Sequence, residues 1–542
     1  MLTHERFRTR WILSALSILV VAGFLVTLER YPTFWPDSQL YASIARARQV
    51  NGTGIPSMLR HSPLATDHIR FYGPVFFDLA AEVFRFFGVS KWTFRLVSLF
   101  GALLYALAGG LLARTLSGSR DRPFWAVALL LLSPEIFLHA HSGSMDTVAV
   151  GLEVAALAIF VRGATRGGSV SDGVLSGAVL ALAVATTPRT YPFACAFASA
   201  AILFAALTER QRSMAAQVAA TVGATATLVL LWILATHRDG VTGWFQYATF
   251  IAAHEDTDVA ILPMVHRNWA FAASSLVSPL AAGIGALVAA RAMGTPHEEA
   301  ASRRSATVFA LVTTWATFVA TACLMNMTLT VATYFALPLL AVVVALPEQY
   351  LRLNCRRPDR RALAAAAALL LCSDLAISIV RYVRIAATWE ARDASPVVAF
   401  IDKHVPDGSD VIGPSGQYFF ATVSSGAHYF STDTNSPADW ARWIPVIDPA
   451  AVGPMPRVRR PTSRFLIWTS GDDLPPAYAC AEPHRVGTYT PPPPNAPSRL
   501  GWLARSDDVG YTALSLYALP GGCPADYDPT GTAGRSSRGT LR

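Results

Sequence analysis

Charge is what this 542-residue sequence has least of: 15% of its residues are Asp, Glu, Lys or Arg, against 53% hydrophobic. With a mean hydropathy of +0.38, the chain is too apolar for a soluble globular protein and reads as a polytopic membrane protein. Cysteine is scarce too. None of the six stands in a CxxC pair or at zinc spacing with a histidine, which removes the thiol-redox and zinc-finger readings. A Walker loop, a GxGxxG turn after a strand, a nucleophile elbow and any internal repeat are also missing, so nothing marks nucleotide-driven, dinucleotide-dependent or serine-hydrolase chemistry. No small-residue cleavage site follows the basic N-terminus MLTHERFRTR, so the apolar run ending near Leu28 is expected to remain as a first span.

What the sequence does have is apolar runs of bilayer length. Spans are expected near 11–28, 93–113, 123–138, 147–161, 173–187, 191–207, 214–235, 269–290, 305–324, 329–346 and 362–380, about eleven in all. The net charge of +8 collects as arginine in alternate short connections, such as those holding Arg120 and Arg122, Arg162 and Arg166, or Arg356 and Arg357. It therefore sets topology, with the N-terminus in the cytoplasm, and marks no nucleic-acid partner. An odd number of spans leaves everything after about Tyr382 outside. There the composition changes: SPVVAFIDKHV reads as a helix, and SDVIG, SRFLIWTS and YTALSLYAL as strands.

The expected architecture is thus an all-α polytopic membrane domain over 1–385, including a first outer loop at 29–92, then a small C-terminal extracytoplasmic α/β domain over 386–524 and a disordered tail at 525–542. In that compartment Cys480 and Cys523 could form a disulfide. A second long outer loop, about 236–268, carries His237, His254, Glu255, Asp256, Asp258 and His266.

The candidate chemistry lies at the outer ends of the spans. Pro36 is expected at the first position of a helix, which puts Asp37 in its first turn, where the positive end of the helix favours a carboxylate, with Tyr41 one turn on along the same face. Asp146, in HSGSMDTVAV, stands at the outer end of a span that also carries Glu153, and ionisable groups at membrane depth are functional candidates. Glu153 could equally be a packed, neutral acid. Arg189, in the outer turn ATTPRTYPF, suits a phosphate or, equally, lipid headgroups. Arg95 suits a loop acid or headgroup anchoring. The pairs His139 and His141, and His61 and His68, read better as interfacial residues than as metal ligands, so no metal or other cofactor is expected, although a divalent ion would be compatible. The stretch FYGPVFFDLAAEVFRFFG is expected to lie in the interface or to dip into the membrane.

The order of these features, namely one span, PDSQLYASIARA, FYGPVFFDLAAEVFRFFGVSKWTFRLVS, a span pair turning at SGSMDTVAV, then VATTPRTYPF and a soluble outer domain, resembles the GT-C membrane glycosyltransferases. The nearest branch is the aminoarabinose transferase, protein-mannosyltransferase and bacterial RgtA/B/C/D-like group, and the resemblance is closest over roughly 1–210. It implies an enzyme of the bacterial inner membrane that moves a sugar, with inversion, from a polyprenyl-phosphate donor to a glycan, lipid or protein acceptor on the extracytoplasmic face. Asp37 and Asp146 match the family's catalytic acids. Arg189 falls near a basic residue common at that turn, and substrate binding is expected from Tyr41, Arg70, Tyr72, Arg95 and Arg189. Two positions depart from the pattern: Ser38 stands where a second acid is frequent, and Gly73, in Tyr72-Gly73-Pro74, stands where the aminoarabinose branch has lysine. Two other readings remain, a transporter or flippase of lipid-linked substrates and a catalytically silent lipid-binding relative. Against transport, neither related halves nor broken helices are legible.

Overall fold

The computed structural model describes residues 2–33, 36–59, 69–119, 121–207, 211–236, 240–242, 244, 301–324, 329–346, 376–413, 418–431, 464–469, 474, 482–493 and 510–520. The expected span at 269–290, most of that at 362–380, the loop histidines and acids from His237 to His266, His61, His68, Cys480, Cys523 and the tail lie outside them.

The helices run α1 (Leu2–Thr27), α2 (Pro36–Asn51), α3 (Ile69–Tyr72), α4 (Val75–Phe87), α5 (Lys91–Ser117), α6 (Arg122–Leu132), α7 (Pro134–His141), α8 (Asp146–Thr165), α9 (Val170–Val184), α10 (Tyr191–Leu207), α11 (Gln211–Thr236), α12 (Ala301–Leu324), α13 (Leu329–Ala345), α14 (Ser395–His404) and α15 (Phe419–Ser424). Short 3-10 turns sit at Ser57–Leu59, Pro188–Thr190 and Glu390–Arg392. Among the described residues five helices are long and apolar enough to cross a membrane, or six if the bent pair α6–α7 is one span, against the roughly eleven expected. The chain is a polytopic membrane protein.

One expected span is broken. The run 123–138 is two helices bent by 63° at Ser133. Pro134 has no N–H to donate and drives its predecessor out of the helical region, and Ser133 indeed sits at φ −59°, ψ 129°. The absence of broken helices anticipated from sequence is corrected by this element.

The chain divides into two compact units. The first joins residues 1–32, 69–83 and 92–386. Its centre is α8, buried along nearly all its length. Phe160 packs 4.7 Å from Phe309 and 5.2 Å from Phe197, ring centre to centre. In lipid such packing is held by close contact rather than by expulsion of water, and small residues allow it: a Cβ on Gly151 would lie 2.9 Å from the Gly101 carbonyl oxygen, so α5 and α8 cross nearly backbone to backbone. Outer helices turn large apolar side chains outward, including Ile18, Leu19, Leu203 and Leu231, as a lipid-facing wall requires. At one end of the bundle Arg10 pairs with Asp121, and Arg122 donates to the Leu346 carbonyl at 2.8 Å.

The second unit joins residues 33–68, 84–91 and 387–542. A five-stranded sheet forms from β1 (Asp410–Gly413), β2 (His428–Ser431), β3 (Phe465–Thr469), β4 (His484–Tyr489) and β5 (Leu514–Ala518), in the order β2-β1-β3-β5-β4. β1 pairs in parallel with β2 and β3, whereas β5 runs antiparallel to β3 and β4. Val411, Leu466, Leu514 and Leu516 are fully buried. Helix α2 belongs to this unit: the Ser57–Leu59 turn packs on both α2 and β2. Lys91, 3% exposed, lies 5.1 Å from the Tyr511 ring centre with its ammonium 3.4 Å from the hydroxyl, a cation held over a π face.

Candidate active site

The site assembles around one short turn of the first unit. Helix α9 ends at Val184, and Thr187 caps the 3-10 turn Pro188–Thr190 by accepting from the Arg189 N–H at 3.4 Å. Proline fixes the first position of this turn without needing a hydrogen-bond partner. Arg189 is thereby projected toward the start of α8, where its Nη1 lies 3.0 Å from both carboxylate oxygens of Asp146.

Asp146 is itself placed by the preceding loop. Gly143 adopts φ +67°, Ser144 Oγ accepts the Asp146 N–H at 3.1 Å, and Ser98 of α5 donates to the Ser144 carbonyl at 2.7 Å. The carboxylate therefore sits in the first turn of a helix, where the aligned peptide dipoles favour negative charge. The two partners differ in exposure, 6% for the Asp146 side chain and 26% for Arg189. The acid is shut in, and the guanidinium retains a face to the outside. His139 Nδ1 stands 3.8 Å from Asp146, beyond hydrogen-bond reach.

A second approach to the same turn comes from Tyr72-Gly73-Pro74. Gly73 has φ +84°, and a Cβ there would overlap the Ala185 carbonyl, which also accepts from the Val75 N–H at 3.3 Å. The lysine of the aminoarabinose branch has no room here, which gives the Gly73 departure a steric cause. Tyr72 is half-buried, its ring 6.2 Å from that of Phe77. On a further side Tyr191, next to the turn, accepts from Trp244 Nε1 at 3.0 Å.

The remaining expected site residues fall elsewhere. Arg95 is not presented to a phosphate. It is fully buried and donates to the carbonyls of Leu28, Tyr31 and Pro32 at 2.9, 3.0 and 2.7 Å, so its fork closes the end of α1, a correction to the substrate-binding expectation. His141 is likewise internal, 2.9 Å from the Thr27 hydroxyl and 2.6 Å from the Phe137 carbonyl oxygen. Asp37 lies in the first turn of α2 as expected, and Tyr41 is buried in that helix, within the second unit. The side chains of Asp37 and Arg70 are outside the described residues.

Three residues carry little or no sequence signal. Thr190 and Tyr334 are fully buried beneath the Arg189 turn, and their hydroxyls are 3.5 Å apart. Arg46 of α2 is half-buried, with an Nη1 that has no hydrogen-bond partner among the described residues, and burial lowers its pKa from the usual arginine value. Among the described residues no cluster of three His, Cys, Asp or Glu is placed to hold a metal.

Residues 62–205, which include Asp146 and Arg189, match the model of the alpha-(1->6)-mannopyranosyltransferase N-terminal domain, MptA_B family. No curated protein sequence matches the chain. Among solved structures, ArnT from Cupriavidus metallidurans bound to undecaprenyl phosphate is similar with a TM-score of 0.58 and 14% identity, covering 94% of this chain and 97% of that one. The Archaeoglobus fulgidus oligosaccharyltransferase in complex with Zn and sulfate covers 86% of this chain and 69% of its own, with a TM-score of 0.49 and 14% identity. The fold is that of the GT-C membrane glycosyltransferases. Within that class the family match falls on alpha-1,6-mannosyltransferases, over α3 to α10, so the resemblance stated from sequence is borne out at superfamily level.

Proposed function

We propose that this protein transfers a sugar, mannose being the first to test, from a polyprenyl-phosphate donor to an acceptor hydroxyl on the extracytoplasmic face, with inversion. The observation that carries this reading is the Arg189–Asp146 pair: a guanidinium still partly open to the outside, locked by a buried acid at the end of the central helix. A polyprenyl phosphate is already an adequate leaving group. The reaction therefore needs a cation at the departing phosphate and a base for the incoming hydroxyl. Arg189 supplies the cation, and Asp146, paired to it, serves as its anchor. Asp37 at the start of α2 is the base, deprotonating the acceptor oxygen as it attacks the anomeric carbon and the sugar–phosphate bond breaks. In this reading the N-terminus is cytoplasmic and the sheet of the second unit extracytoplasmic, in a bacterial inner membrane, as the alternation of arginine-bearing connections supports. The similarity to a structure solved with undecaprenyl phosphate supports the class of donor.

Purified protein in nanodiscs given polyprenyl-phosphate [14C]mannose and a panel of cell-envelope glycans is expected to release polyprenyl phosphate and label an acceptor. The bend at Ser133 favours one alternative, transport of a lipid-linked substrate. In sealed vesicles that alternative would show the labelled lipid crossing the bilayer with its sugar–phosphate bond intact, and this outcome would end the transferase reading.

A further inference from the structure

Below the Arg189 turn lies a second acid that the proposed reaction does not use. Glu153 is 1% exposed on α8. It follows Asp146 by seven residues, two helical turns or about 10.5 Å, so the two carboxyls lie on nearly the same face of one helix. Asp146 takes Arg189, and Glu153 faces the next residue in the chain. The Tyr334 hydroxyl donates to Glu153 Oε1 at 3.1 Å. Thr190 Oγ1 lies 3.5 Å from that same hydroxyl and 3.3 Å from the Ala183 carbonyl oxygen. With the Thr190 hydroxyl sharing its one proton between the Ala183 carbonyl and the Tyr334 oxygen, Thr190, Tyr334 and Glu153 form a buried chain that ties the turn to α8 and to α13 from beneath. Pro338, four residues after Tyr334 in α13, has no N–H for the Tyr334 carbonyl, so the side-chain hydroxyl is not the only irregular feature at this level.

We infer that Glu153 is a positioning residue for the phosphate-binding arginine: through Tyr334 and Thr190 it holds the Pro188–Thr190 turn at the height where Arg189 meets the anionic head of the lipid-linked substrate. The inference rests on the proposed role of Arg189. A turn of three residues has little internal rigidity, and Asp146 constrains only the tip of the arginine. Without the lower tie the backbone carrying Arg189 can settle differently while the ion pair persists. A displacement near 1 Å of a positioning group is enough to cost on the order of 10²-fold in rate. A buried acid that served packing alone would affect folding and leave the affinity of the folded fraction untouched.

The test uses full-length protein in nanodiscs with three substitutions: Glu153→Leu, Glu153→Gln and Tyr334→Phe. The readouts are the KM for polyprenyl-phosphate mannose, kcat, the Kd for polyprenyl monophosphate, and the thermal midpoint. Glu153→Leu is expected to raise KM and Kd about tenfold, with kcat falling as well because Arg189 meets the charge that grows on the departing phosphate. Glu153→Gln keeps an oxygen that accepts from Tyr334 and should return both to within about threefold of wild type. Tyr334→Phe should fall between them. Unchanged KM and Kd in folded Glu153→Leu, or failure of Glu153→Gln to restore them at a wild-type thermal midpoint, would overturn the inference. If the wild type binds polyprenyl monophosphate without transferring sugar, the transferase reading fails while the Kd series still decides the role of Glu153. If the wild type binds no polyprenyl monophosphate, both fall.

Discussion

Nη1 of Arg189 lies 3.0 Å from each carboxylate oxygen of Asp146, a residue 43 positions earlier in the chain. The acid is the more enclosed partner, at 6% exposure against 26%, and that asymmetry sets the first prediction. Removing Arg189 strands a charge that water barely reaches, whereas removing Asp146 leaves a guanidinium that can still be hydrated. Arg189→Met is expected to destabilise the protein by about 1–3 kcal/mol, reduced from the fully buried case by partial solvation, and by more than Asp146→Asn. In a double-mutant cycle followed by thermal unfolding in detergent, the double substitution should cost less than the sum of the singles. Additive effects would mean that the two groups do not interact.

Asp37→Asn is expected to lower kcat for sugar transfer by about 10²–10⁴-fold, the usual worth of a positioned base. Expression and binding of polyprenyl monophosphate should be unchanged. Retained turnover in Asp37→Asn would reassign the base.

Gly73→Ala tests the packing of the turn. The added Cβ meets the Ala185 carbonyl at a backbone with φ +84°, so a loss of about 2 kcal/mol or more is expected. Gly73→Lys should be at least as damaging, with no gain in donor affinity. A well-folded Gly73→Lys protein that binds phosphate more tightly would contradict the geometry described for Ala185.

Arg95→Met leaves three carbonyls, the buried ones of Leu28 and Pro32 and the part-buried one of Tyr31, without this donor. The expected loss is about 3 kcal/mol or more of stability. The KM of whatever protein still folds should stay within about twofold of wild type. Arg95→Lys is expected to restore little, because an ammonium cannot span three acceptors as a planar fork does. A raised KM at normal stability would return Arg95 to the substrate.

Topology can be checked with reporters joined after Ala518, at the end of the sheet. A reporter active only outside the cytoplasm should report there, and a cytoplasm-only reporter should stay silent; the opposite result would invert the proposed orientation.

Much of this site was legible because its parts announce themselves singly. An acid at the end of an apolar run and an arginine in a proline-bounded turn are exceptional against their surroundings, and the structure brings the two into contact. The strands at 410–413, 465–469 and 514–518 were visible for the same reason, as β-branched and aromatic runs between turn residues. Arg95 misled because a headgroup anchor, a ligand-binding arginine and a buried clamp on backbone carbonyls share one local sequence; only the fold brings residues 28–32 to it. Tyr334 and Thr190 were invisible because a hydroxyl in an apolar helix declares nothing until its neighbour, here Glu153, is known. The break at Ser133 was written in Pro134, but hydropathy averaged over a window passes across a single proline. The assignment of α2 to the same unit as the sheet depends on contacts between segments hundreds of residues apart, which no local pattern encodes.

That last grouping has a bearing on biosynthesis. Lys91 and Tyr511 are separated by 420 residues, so at a ribosomal rate of about 5–20 residues per second the lysine is made roughly 20–80 seconds before the ring that will cover it. Through that interval the amphipathic segments of the early loop are already made while the sheet they belong with is still being translated. Holding them meanwhile falls to the lipid interface or to a chaperone, and truncating the chain before Tyr511 should expose the loop to proteases.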